Sequence, residues 1–74
     1  MIAIDQLKER DKIIITHLEC GMNLRKRLME LGLFDGSEIE IIKNDSSGPL
    51  IIKIFESKIA LGRGESQNIY GNKI

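Results

Sequence analysis

The chain has 74 residues, of which 42% are apolar and 30% charged, with 11 cations balancing 11 anions and three aromatic residues. That length allows a single domain, residues 1–74, and a chain of this size buries only about 60% of the surface it exposes when unfolded, which argues against a deep catalytic cleft. Charge balance is local too: residues 1–32 carry six cations and five anions, and residues 33–74 five and six, so the basic excess of a dedicated nucleic-acid binder is missing.

In chain order, Ile4 and Leu7 lie three apart in IAIDQLKERDK, which predicts an anchoring turn followed by a charged loop. KIIITHLE (12–19) is rich in β-branched residues and predicts a strand. After Cys20-Gly21, NLRKRLMEL places Leu24, Leu28 and Leu31 on one helical face. Asn23 is the expected N-cap, and Gly32 the left-handed residue that stops this short helix. SEIEIIK (37–43) alternates, with Ile39 and Ile41 on one side and Glu38 and Glu40 on the other. NDSSGP (44–49) is a turn cluster, and LIIKIF (50–55) returns as the hairpin partner. ESK makes a second tight connection, IALGR (59–63) is another antiparallel strand, GESQN a helical turn, and Ile69-Tyr70 a last short strand. The expected fold is therefore mostly β: a small SH3-like antiparallel barrel of four or five strands, closing its own edges, with one short inserted α-helix.

One cysteine, Cys20, excludes an intramolecular disulfide and any multi-cysteine metal site, and suits a reducing compartment. The N-terminus shows no basic segment followed by an apolar stretch, and the longest apolar run, Met1–Ile4, is four residues, far too short to span a membrane. A cytoplasmic domain is expected, reaching a membrane only through a partner and with no direct insertion.

Arg25, Lys26 and Arg27 raise the question of a nucleic-acid-reading helix. At 100° per residue they point to three different thirds of the helix, whereas a groove-reading helix gathers its cations on one face. Arg27 flanks the leucine arc, so its guanidinium is expected to reach backbone carbonyls or a carboxylate, while Lys26 and Glu30 face water. His17, Glu19 and Cys20 are the candidate metal ligands, but a surface histidine beside a half-buried cysteine is the plainer reading, since a site needs three or four converging groups. Neither Ser46-Ser47-Gly48 nor Gly62-Arg63-Gly64 has the lysine and spacing of a phosphate loop. No nucleophile–base pair is visible, so neither an enzyme nor a cofactor is expected.

The run Leu24-x-x-Arg27-Leu28-x-x-Leu31-Gly32-Leu33-x-x-Gly36-Ser37-x-Ile39-x-Ile41 resembles the signature of the FeoA family, the small SH3-like partners of the bacterial ferrous-iron transporter FeoB. The likeness continues through Pro49 to Ile54, Ile59-Ala60-Leu61-Gly62-Arg63-Gly64-Glu65 and Ile69. Three departures lie in turns: Glu9-Arg10 where the family often has Pro-Gly, Asp35 where proline often precedes the second glycine, and Ser47-Gly48-Pro49 in place of a Gly-Asp-Pro-like run. The resemblance implies an accessory protein for ferrous-iron uptake that binds the cytoplasmic, GTPase-bearing region of FeoB, without itself transporting iron or hydrolysing GTP. It also makes Leu24, Arg27, Leu28, Leu31, Gly32 and Gly36 the structural positions.

For the partner surface, the outer helix face and the following turn are the choice: Arg25, Lys26, Met29, Leu33 and Phe34. Exposed methionine and phenylalanine beside arginine are enriched in protein interfaces. The competing reading has Leu33 and Phe34 folding back to plug the barrel end. Two other functions compete: an SH3-like nucleic-acid- or ribosome-associated module, and a relative of the C-terminal SH3-like part of iron-dependent repressors. Barrel edges can swap or pair, which leaves a weak homodimer open.

Overall fold

The β-branched run after the first charged loop forms the strand around which the sheet is arranged. The computed structural model describes residues 1–45 and 47–74, so the Ser46 part of the expected 44–49 turn lies outside the described residues. Its elements are β1 (Ile2–Ala3), a 3₁₀ turn (Ile4–Gln6), β2 (Lys12–Leu18), α1 (Met22–Glu30), β3 (Glu38–Lys43), β4 (Leu50–Ile54), β5 (Ser57–Leu61), α2 (Arg63–Ser66) and β6 (Ile69–Lys73). The strands form one antiparallel sheet in the order β1-β6-β2-β3-β4-β5. Two-residue β1, which has no alternation to betray it, adds a strand to the expected number, and β6 continues past Tyr70 to Lys73.

The ladder ends at β1 and β5, which do not pair with each other, so hydrogen bonds do not seal the edges as the sequence suggested. The sheet is nevertheless strongly curled. Six strands laid flat would be roughly 29 Å wide and about 10 Å thick, whereas the molecule measures 27 × 25 × 25 Å. Ile13, Ile15, Ile39, Ile41, Leu50, Ile52, Ile54 and Ile69 fill the inside of that curl, with Ile4 and Leu7 from the N-terminal turn. Two β-bulges assist it. In β2, Ile15 pairs with Gly71 and His17 with Tyr70, which makes Thr16 the extra residue. The bulge reverses the alternation, so Leu18 turns inward after Ile13 and Ile15. In β3 the same shift falls between Ile41 and Lys43. Opposite β2 the backbone of β6 approaches so closely that a Cβ on Gly71 would sit 2.2 Å from the Ile14 carbonyl oxygen and 2.8 Å from Ile13 Cγ1. Only glycine fits there.

One polar clasp joins three separate segments. The Asn44 side-chain amide donates to the carbonyls of Asp5 and Leu7, and its oxygen accepts from Arg63 Nη1 at 2.6 Å. Arg63 also donates through Nε to Gly48 O at 2.9 Å and through Nη2 to Asp45 O. The N-terminal turn, the β3–β4 connection and α2 thus hang on one amide and one guanidinium. Phe55, in the two-residue β4–β5 connection, takes φ +54°, a conformation that suits glycine better. Its ring, 75% exposed, lies over Gly32.

The charged loop after Leu7 turns at Arg10, whose φ of +76° is one that glycine adopts freely. This is the place where the resembling family often has Pro-Gly. Asp11 fastens the turn: its Oδ2 accepts from the Lys8 backbone N–H at 2.8 Å, and its Oδ1 lies 3.3 Å from Lys73 Nζ. The Lys8 N–H, helped by the Lys73 ammonium, holds the Asp11 carboxyl below its ordinary value. A carboxyl lowered in the folded state stabilises the fold above its unfolded pKa of about 3.9, and that contribution is lost as pH falls through the folded value. The wild-type chain is therefore expected to melt higher than Asp11→Asn at neutral pH. The gap should shrink on acidification below about pH 4 in paired thermal melts.

Candidate functional site

Helix α1 begins at Met22, two residues earlier than an N-cap at Asn23 implies. Gly21 is the N-cap, with φ −66° and ψ 166°, and its carbonyl accepts from Arg25 N at 3.0 Å. Asn23 is therefore inside the first turn and does not cap; no side chain does. Exposure of this end leaves water to satisfy the free N–H groups of the first turn.

The C-terminal end explains two further corrections. Gly32 takes φ +95°. Its N–H donates to Met29 O at 3.0 Å, and the next N–H, from Leu33, returns to Leu28 O at 2.8 Å. That is the Schellman arrangement, in which the second residue past the cap folds back on the residue that accepts from it. Leu33 is consequently buried against Leu28, so it cannot belong to a docking surface. Leu31, at the cap itself, is left 42% exposed in place of completing the leucine arc. Leu24 is half-buried against the core. Beyond it, Ser37 Oγ accepts from Phe34 N at 3.0 Å and donates to Gly32 O at 2.9 Å. Gly36, at φ +94°, then donates to Ile15 O at 2.6 Å and returns the chain to β2.

The three cations have three different settings. Arg25, expected to point outward, instead donates from Nη2 to Leu18 O at 2.7 Å and pins α1 to the end of β2. Arg27 lies outside and reaches a carboxylate, with Nη1 3.6 Å from Glu65 Oε2. Glu65 also accepts from the Gly62 N–H at 2.9 Å and caps α2. Lys26 is exposed beside Glu30. Around the Arg25 stem lie two adjoining shallow hollows. One is lined by Met22, Asn23, Lys26, Met29 and Glu30, the other by Leu18, Met29, Phe34 and Asp35, and both share Arg25. Met22 is 82% exposed, Met29 53% and Phe34 45%. Leu33 takes the inward apolar position after the helix, and Phe34 stays out. The helix wheel turns Met29 away from the leucines and Phe34 falls in the turn after the helix, as the sequence suggests; Met22 joins them because the helix starts before Asn23.

His17 and Glu19 do meet, Nε2 to Oε1 at 2.7 Å, on the surface and with the Tyr70 ring centroid 6.2 Å from that of His17. Cys20 is half-buried against the core. Among the described residues no group of three or more His, Cys, Asp or Glu side chains converges. The pair is a surface hydrogen bond beside the β2–α1 connection.

A family model described as the FeoA domain matches residues 2–73. The chain belongs to the FeoA family. Its similarity to a putative Fe(2+) transport protein A of Methanocaldococcus jannaschii is 36% identity over 62 residues, 84% of this chain and 74% of that protein. Among solved structures, an iron uptake regulatory protein (FeoA) superposes with a TM-score of 0.91 at 26% identity, covering 99% of this chain and 97% of that one. The iron(II) transport protein A of Clostridium thermocellum superposes with a TM-score of 0.90 at 26% identity, covering 99% of this chain and 46% of that one. The fold also recurs within a larger metal-bound protein, ScaR with Zn2+, at a TM-score of 0.85 and 24% identity over 100% of this chain and 37% of that one. Family membership places this chain in ferrous-iron transport and gives it the SH3-like fold of its relatives.

The contrast between Leu33 and Met29 is measurable. Leu33→Ala is expected to lower unfolding free energy by about 2–5 kcal/mol, whereas Met29→Ser should stay within about 0.5 kcal/mol, both read from urea unfolding.

Proposed function

We propose that this FeoA-family chain is a non-catalytic accessory protein for ferrous-iron uptake that binds the cytoplasmic, GTPase-bearing region of an FeoB-type transporter through the outer face of α1 and the turn after it. The observation that carries this reading is the cluster Met22, Met29 and Phe34, three large apolar side chains exposed around Arg25 and bordered by Lys26. A domain with so small a core loses by leaving three such side chains in water, and methionine, phenylalanine and arginine are the residue types enriched where protein surfaces meet. The two hollows are shallow and open and adjoin each other around Arg25, which suits the broad contact of a protein partner. The chain works at the inner face of the membrane because its partner is there; no helix of the structure is long and apolar enough to cross a membrane. Zero net charge and scattered helix cations speak against the alternative of a nucleic-acid- or ribosome-associated module.

The test is calorimetry or NMR titration against the transporter's soluble cytoplasmic domain, with and without guanine nucleotide, and against the full transporter. Binding by either is expected, and Met29→Ser combined with Phe34→Ser should weaken it at least about tenfold, with the barrel still folded. Arg25 is left intact in that variant because it holds Leu18 O. Absence of binding to both the domain and the whole transporter overturns the proposal.

A further inference from the structure

The outer face of the sheet carries a row of charged side chains in register across four strands. Lys12 of β2 stands opposite Glu40 of β3, Glu40 opposite Lys53 of β4, and Lys53 opposite Lys58 of β5. The alternation of sign fails at the last step. Like charges directly opposite on neighbouring strands repel, and whereas Lys53 also has Glu40 opposite it, Lys58 has only that lysine; among the described residues neither Lys53 nor Lys58 takes part in an ion pair. The repulsion lies beside an open edge. Among the described residues β4 is the only strand paired with β5, and Ser57, Lys58 and Ala60 are exposed with Ile59 half-buried. The far side of β5 therefore presents backbone groups to water over Ser57–Ala60.

We infer that the β5 edge is a second docking site, taking an extended, acidic segment of a protein partner as a seventh strand. Strand addition would supply the backbone hydrogen bonds that β5 lacks on that side. A carboxylate on the outer face of the added strand would stand opposite or diagonal to Lys58 and continue the row with the sign it needs. The same charge disfavours a second copy of this chain. Antiparallel pairing of two β5 strands about Ile59 would set Lys58 of each copy diagonal to the other, with both Lys53 side chains behind them. Edge lysine is a common guard against self-association, and here it leaves acidic strands as the permitted occupants. This inference does not depend on the α1 surface, which lies on other elements and has different chemistry.

The probes are two capped eight-residue peptides, one alternating valine and glutamate, the other alternating valine and lysine. Each is titrated into isotope-labelled full-length chain while backbone amide shifts are followed. The glutamate peptide is expected to shift the amides of Ser57–Leu61 and to bind about five- to tenfold more tightly than the lysine peptide. Lys58→Glu, an exposed change that leaves the core untouched, should reverse the preference. A glutamate peptide with its valines replaced by proline, which cannot pair as a strand, should not shift those amides. Equal affinity for both peptides, shifts confined to lysine side chains, or no response of β5 at millimolar peptide would overturn the inference. So would concentration-dependent β5 shifts without peptide, which would give the edge to a second copy.

Discussion

Gly71 crosses β2 with its Cα so near the strand that a methyl group there would sit 2.2 Å from the Ile14 carbonyl oxygen, and this close approach lets β6 lie along β2 while β3 takes the other side. The consequences run outward from that contact. With β6 seated, the Thr16 bulge reverses the facing of β2 and turns Leu18 into the core. Leu18 ends the strand with a carbonyl free to accept from Arg25, and Glu19 N is held by Asn68 O at 2.7 Å. Arg25 then fixes the position of α1 at its first turn, and Gly32 and Leu33 fix it at its last. The exposed methionines are thus presented by a helix anchored at both ends, which lowers the ordering cost of binding anything to them.

The proposed function gives a reason for leaving such a surface uncovered. A monomer of this size gains from burying each large apolar side chain, and its core buries Ile4, Ile13, Ile15, Ile39, Ile41, Ile52, Ile54 and Ile69 almost completely. Met22, Met29 and Phe34 are outside that economy of burial. They share one side of the molecule with Arg25, whose charge is turned inward to a backbone carbonyl, so the surface is more apolar than the triplet Arg25-Lys26-Arg27 suggests. On the sheet, the β5 edge is the opposite case, polar backbone beside Lys58, which has a lysine opposite it. On the two proposals, one face takes an apolar partner surface and the other an acidic strand, so a chain of zero net charge would discriminate between partners locally.

Much of this was legible in the residues. Period-two alternation located β3 and β4 within a residue or two, because Ile39, Ile41, Leu50, Ile52 and Ile54 face one core and the residues between them face water. Glycine punctuation gave the turns at Gly32 and Gly36. The errors were at element ends, where tertiary contacts outweigh local pattern. Asn23 is a good cap by type, yet Gly21 already has the extended backbone a cap needs, so the helix starts there. Leu31 fits the helical period, but the left-handed turn at Gly32 hands the buried place to Leu33. β1 is too short to carry a pattern and exists only because β6 offers it an edge. Asn44 and Arg63, 19 positions apart, read as turn residues; nothing in either neighbourhood signals that they would bind each other.

The central claim is that α1 and its following turn are a recognition surface built on a rigid frame. Hydrogen exchange of the full chain, with and without the cytoplasmic domain of an FeoB-type transporter, tests it most directly. Slower exchange concentrated in residues 22–36 on addition of that domain is the result expected. Unchanged exchange there, with protection appearing only on the opposite side of the molecule, would contradict it.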